Sequence, residues 1–102
     1  MNTELTLQDA YQKLSKMELS EFYPDDSFQF TTSLNTLGEI IHNGGFFDKE
    51  SAIKLRKIII TFTFIYNNMM KTKAGEKLVN EIYKLEYIEY ELKRVLKIWR
   101  HK

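Results

Sequence analysis

A chain of 102 residues, 43% hydrophobic and 28% charged, is long enough for one modest core and too short for two. The lack of Cys excludes disulfides and thiolate metal or redox chemistry, and a single Pro with four Gly favours long regular elements over a many-turned sandwich or barrel. The net charge of +1 hides a split, because residues 1–50 carry nine acids against three Lys and residues 51–102 carry twelve bases against five acids. Either the acidic and basic halves attract one another across an antiparallel bundle or a dimer, or the surface is bipolar, with one end suited to an acidic partner or polyanion. Helices commonly carry acids near their starts and bases near their ends, which favours the first reading. The opening residues Met1-Asn-Thr-Glu-Leu-Thr have neither the basic start nor the apolar stretch of a secretory signal, so the cytoplasm is the expected compartment.

The first element is a helix over 7–19. Thr6 and Asp9 supply a start signal, and Leu7, Ala10, Tyr11, Leu14 and Met17 recur at the spacing of one helical face. The second is a helix over 25–42, opened by Pro24-Asp25-Asp26, where Pro suits a first turn and the carboxylates suit its positive end. Phe30, Leu34, Leu37 and Ile41 form its stripe and Phe28 falls off it. Asn43-Gly44-Gly45 closes this helix, and Asp48 caps the next with Glu50 in its first turn. The paired glycines have none of the spacing of a phosphate-binding loop, and the acids that follow would repel a phosphate.

The third element holds the most apolar run of the chain, Ile58 to Tyr66, which carries no charge. It is too short to span a bilayer. Alternation of Ile, Phe and Thr suits a strand, paired in a hairpin with residues 27–31 in an α+β alternative. The helical pattern starts upstream, however, and no Gly or Pro breaks it before Gly75, so a central helix over 49–71 is expected. Ala52, Leu55, Ile59, Phe62, Tyr66 and Met69 form its broad face, directed at the fourth helix. Ile53, Ile60 and Phe64 form a narrower stripe directed at the first two helices, and Lys54, Lys57 and Thr61 mark the wet side. Lys73-Ala74-Gly75 reads as the last turn. The final helix covers 76–101, with Leu78, Ile82, Leu85, Ile88, Leu92, Val95, Leu96 and Trp99 on one face and Glu89 four residues before Lys93. The whole is an all-α, small antiparallel four-helix bundle in one domain, 1–102.

Three constellations bear on function. Tyr83, Tyr87 and Tyr90, with Arg94 and Ile98, lie opposite the core stripe of the last helix. Such a row offers large apolar area, few rotamers to freeze and hydroxyls for orientation, so it either binds another protein, foreign or a second copy, or completes the core from a second side. Lys93, Arg94, Lys97, Arg100 and Lys102 could line phosphates in an alternative nucleic-acid reading, or simply complement the helix dipole. Glu39-Ile-Ile-His42 has the Glu-x-x-His spacing of di-iron bundles, but those sites need a second pair and two further Glu, and the other histidine, His101, brings none. No metal, cofactor, membrane contact or catalytic residue is expected, and neither histidine has a nucleophile motif to serve. The expected activity is that of a protein-binding module occluding a partner. At the level of fold analogy this resembles immunity proteins, phage-encoded inhibitors and secretion chaperones.

Overall fold

The structure, a computed structural model, describes residues 3–43 and 49–96, with side chains over 7–42 and 49–94. Among the described residues there are four helices and no strand, α1 Thr3–Ser15, α2 Pro24–Asn43, α3 Lys49–Asn67 and α4 Lys73–Leu96. Each helix packs against the next, and α4 closes the ring against α1. Short connections therefore place antiparallel neighbours side by side, as an up-and-down bundle requires.

The core follows the apolar spacing closely. Leu7, Ala10 and Leu14 from α1, Phe30, Leu37 and Ile40 from α2, Leu55, Ile58, Ile59, Phe62 and Ile65 from α3, and Leu78, Ile82, Leu85 and Ile88 from α4 form one buried cluster. Phe30 anchors it, with its ring centroid 5.0 Å from Phe22 in an edge contact and 5.3 Å from Phe62. On α2 the inward position belongs to Ile40, while Leu34 and Ile41 are only partly buried. Tyr11 lies over Gly38, where an added Cβ would stand 3.1 Å from the ring. That close approach fixes how α1 and α2 meet.

The helix ends depart from the expected ones for local reasons. α1 is already under way at Thr6, so that residue lies inside the helix and not at its start. It stops at Ser15 and not at Leu19. Ser15 Oγ donates to the Tyr11 carbonyl (2.8 Å), and the N–H groups of Lys16 and Met17 turn back three residues, to Lys13 and Leu14. This tightening ends the α-helix, and a short 3-10 turn, Leu19–Glu21, follows an extended Glu18. The proposed hairpin of 27–31 with 57–66 does not form, since both segments are helical. The strand propensity of the isoleucine run yields to the burial of Ile58, Ile59, Phe62 and Ile65 on one helical face. The closure at Asn43-Gly44-Gly45 and the cap at Asp48 lie at the edge of or outside the described residues.

The largest correction is at the α3–α4 corner. α3 ends at Asn67, four residues early, and α4 begins at Lys73, three residues early. Met69 turns inward to the core, held by its N–H to the Tyr66 carbonyl at 2.9 Å. Thr72 then caps α4: its hydroxyl accepts from Gly75 N–H at 2.9 Å and lies 2.8 Å from the Met69 carbonyl, to which it donates. Gly75 is thus in the first turn of α4 and does not end α3. It is required there by space, because a Cβ would come within 1.9 Å of the Met69 carbonyl oxygen. From the neighbouring α1–α2 connection, Glu21 accepts the Ala74 N–H at 3.2 Å. Buried Asp26 likewise accepts from Asn68 Nδ2 at 2.9 Å. These two bonds tie both connections at this end of the bundle together.

Candidate protein-binding face

On α4, residues 83, 87, 90 and 94 are spaced four, three and four apart, which at 100° per residue puts them on one side of the helix. The tyrosines are exposed at 63, 45 and 57% respectively. They do not complete the core. Arg94 turns its guanidinium onto Glu91, with Nη2 2.6 Å from Oε1. That hydrogen bond and charge raise its pKa, and the nearby Tyr90 and Tyr87 add to the effect. The Glu91 anchor holds the cation at the edge of the tyrosine row. Ile98 lies outside the described residues.

The narrow stripe of α3 is the site that sequence reasoning misplaced. Ile53, Ile60 and Phe64 do not face α1 and α2; they are exposed at 50, 55 and 66%. With α3 on its own helical wheel, the buried residues centre on the side opposite Ile60 and Phe64. Lys54, Lys57 and Thr61 do lie on the wet side, where they line a shallow depression with Thr32, Ser33 and Thr36 of α2, and that side is wide enough to include the stripe as well. The signal available in the sequence was the spacing of 53, 60 and 64 around the same wheel, which separates them from Leu55, Ile59 and Phe62.

Register brings the two stripes together. Arg56 of α3 forms a two-pronged ion pair with Glu89 of α4, with Nε 2.8 Å from Oε2. With a rise of about 1.5 Å per residue in antiparallel helices, Ile60 and Phe64 stand about 6 and 12 Å from that pair toward the α3–α4 corner, and Tyr87 and Tyr83 about 3 and 9 Å in the same direction. Ile53 and Tyr90 lie just to the other side of it. Between the stripes, Ala52, Ile53, Arg56, Lys57 and Lys93 line a depression of about 240 Å³.

Glu89 is the electrostatic centre of this face. It is buried, which alone would raise its pKa, yet the hydrogen bonds from Arg56 and Lys93 outweigh burial and hold it below the ordinary glutamate value. Lys93 Nζ lies 3.1 Å from it. Arg56 is raised in turn, chiefly by the Glu89 hydrogen bond. On the other flank of α4, Lys84 reaches Asp9 of α1 at 3.0 Å and Glu81 at 3.2 Å. Burial opposes the charge on Lys84, but these carboxylates prevail and raise its pKa, while the Lys84 hydrogen bond leads the lowering of Asp9. The acidic and basic halves of the chain do meet across the bundle at this pair.

Of the bases considered for nucleic acid, Lys93 and Arg94 are each held by an acid of their own helix, and Lys97, Arg100 and Lys102 lie outside the described residues. Glu39 and His42 line a shallow groove with Gln8, Tyr11, Gln12 and Asn35. Among the described residues no three His, Asp or Glu side chains converge on a metal-sized site. Nor, among those residues, is any helix long and apolar enough to cross a membrane. No protein-family model matches this chain, and neither does any curated protein or solved structure.

Proposed function

We propose that this chain is a protein-interaction module that acts by covering a surface of another protein chain, as an inhibitor, immunity protein or regulator does. The covering surface is the outward side of α3 and α4. One observation carries the reading: Ile53, Ile60, Phe64, Tyr83, Tyr87 and Tyr90, large apolar side chains on two adjacent helices, are each 45 to 66% exposed. Singly exposed aromatics are ordinary, whereas a cluster of this extent on a small protein marks a contact surface. Tyr and Phe contribute much area for little rotamer entropy, and charged groups such as Arg94 and Lys57 suit a polar rim. The reading assigns the chain no catalysis.

The test replaces Tyr83, Tyr87 and Tyr90 together with Ala. Helicity and melting should change little, while capture of a partner by the immobilised protein, and inhibition of that purified partner, should be lost. A triple variant that unfolds would show the rings to be structural, and one that keeps every interaction of the wild type would remove this face from the function. The nucleic-acid alternative predicts retention on DNA or RNA that falls steeply with salt. It has the weaker support, since two of its five bases are already engaged.

A further inference from the structure

We propose that the hollow between α1 and α4 binds a small phosphate monoester that also carries hydroxyl groups, such as a sugar phosphate. The site is separate from the α3–α4 face and goes beyond the docking reading, which it neither needs nor replaces. Three observations carry it.

The first is placement. Lys13, Lys16 and Met17 at the end of α1, and Lys77, Asn80 and Glu81 of α4, each keep the three-and-four spacing of neighbours on one helical side. The packing of α1 on α4 brings the two triplets together around a hollow of about 300 Å³. That is the lower end of the range for small-molecule sites, about 300–1,000 Å³. Its lining is mostly apolar, as Met17 and the lysine stems would supply, so it suits a carbon skeleton as well as a charge.

The second is charge. Asp9 accepts the hydrogen bond of Lys84 at 3.0 Å and lies 3.7 Å from Lys13, while Glu81 stands 3.2 Å from Lys84. Two acids thus answer two lysines. Lys16 and Lys77 enter no ion pair among the described residues. Lys16 follows the end of α1, where a base suits the helix dipole. Lys77 lies in the second turn of α4, near the positive end, and gains nothing from that dipole. Two unanswered ammonium groups on one hollow match the charge of a phosphate monoester, about −1.5 to −2 at neutral pH. A single carboxylate would leave one of them unmatched.

The third is a buried acceptor. Glu81 is only 6% exposed, and its Oε1 accepts no hydrogen bond. Lys84 answers its charge but directs its own hydrogen bond to Asp9. A buried oxygen in that state calls for a donor. A ligand hydroxyl supplies one without adding positive charge among three lysines, where a ligand ammonium would be repelled. Asn80 offers both a donor and an acceptor to further hydroxyls.

The experiment titrates the full chain with ribose 5-phosphate, glucose 6-phosphate and glycerol 3-phosphate, with inorganic phosphate and free ribose as controls, and follows amide NMR shifts. Expected are saturable shifts over 13–17 and 77–81 with at least one ester, binding at least tenfold tighter than that of inorganic phosphate, and no response to ribose. Lys16→Gln combined with Lys77→Gln should weaken the ester at least tenfold without moving the melting temperature, because both side chains are exposed and unpaired. Glu81→Met should abolish the preference for ester over inorganic phosphate. That variant also loses the Lys84 ion pair, so circular dichroism checks its fold, and the lysine variant decides alone if it unfolds. The variant with Tyr83, Tyr87 and Tyr90 replaced by Ala should bind the ester as the wild type does, so a failure here and a failure of the docking reading are read separately. The proposal is overturned if no ester moves those resonances at millimolar concentration, if inorganic phosphate binds as tightly as the esters, or if the lysine variant binds unchanged.

Discussion

Gly75→Ala tests the construction of the α3–α4 corner, because two principles give it opposite signs. In an ordinary helix the change stabilises by up to about 1 kcal/mol. Here the new Cβ would lie 1.9 Å from the Met69 carbonyl oxygen and 2.9 Å from its carbon. A normal contact at that carbonyl needs over 1 Å more, and the obstacle is backbone, which cannot rotate away as a side chain can. The corner must open. The groups displaced are the Thr72 hydroxyl bonds to Met69 and Gly75, the Glu21 bond to Ala74 and the seating of buried Met69. At about 1 kcal/mol for each hydrogen bond, and allowing for the gain in helix propensity, the net cost is about 2–4 kcal/mol. For a domain of this size that lowers Tm by roughly 10–25 °C. Urea and thermal unfolding followed at 222 nm measure it directly. Gly38→Ala is the control, since its Cβ would meet only the tip of the Tyr11 ring at 3.1 Å, and a small tilt of that side chain relieves the contact. If Gly75→Ala is as stable as the wild type, the close approach of the corner to α4 is wrong.

Two further outcomes follow from burial and charge. Phe62→Ala should cost about 3–5 kcal/mol and Phe64→Ala within about 0.5 kcal/mol, although the two residues are neighbours in one helix; comparable losses in urea unfolding would mean that Phe64 is core. Glu89→Gln should destabilise by about 1–2 kcal/mol at neutral pH, a modest figure because the partially exposed Arg56 left behind can be solvated. The folded-state pKa of Glu89 is depressed, so its stabilisation is fully present above the ordinary glutamate value and is lost as pH falls through the folded-state value. The stability difference between wild type and Glu89→Gln should therefore shrink in the acid range, and a difference that grew on acidification would contradict the pairing with Arg56 and Lys93.

The fold class was legible because the apolar residues of α1 and α4 keep helical spacing over several turns. Leu7, Ala10 and Leu14, or Leu78, Ile82, Leu85 and Ile88, permit no other regular structure that buries them together. The corner was not legible. A glycine near the end of an apolar run most often marks a helix terminus, and only the approach of Met69 to Gly75 reveals a glycine kept small so that two backbones can touch. The tyrosine row of α4 was legible as a face, though not as an exposed one, since a helix can be buried from two sides. The exposure of the α3 stripe was not legible from residue type, because Ile and Phe suit a core equally well and only the position on the wheel decides which side they occupy. Ile59 and Ile60 are adjacent and chemically identical, yet one is 1% exposed and the other 55%.

That contrast also locates a constraint which folding does not impose. Ile59 is needed by the core, and Leu, Val or Met in its place would bury a comparable apolar volume. Ile60, Phe64 and Tyr83 are each more than half exposed in the single chain, so Lys, Glu or Gln, which have equal or better helix propensity, would cost the bundle little. They would also improve solubility, because exposed apolar clusters promote association. Stability of the isolated bundle thus accounts for Ile59 and leaves Ile60 unexplained, and the proposed contact surface is the reading that would account for Ile60. The ion pairs fit the same division. Glu89 binds both Arg56 and Lys93, so the charged groups between the aromatic rows already have partners, and burying paired groups costs less than burying unpaired ones.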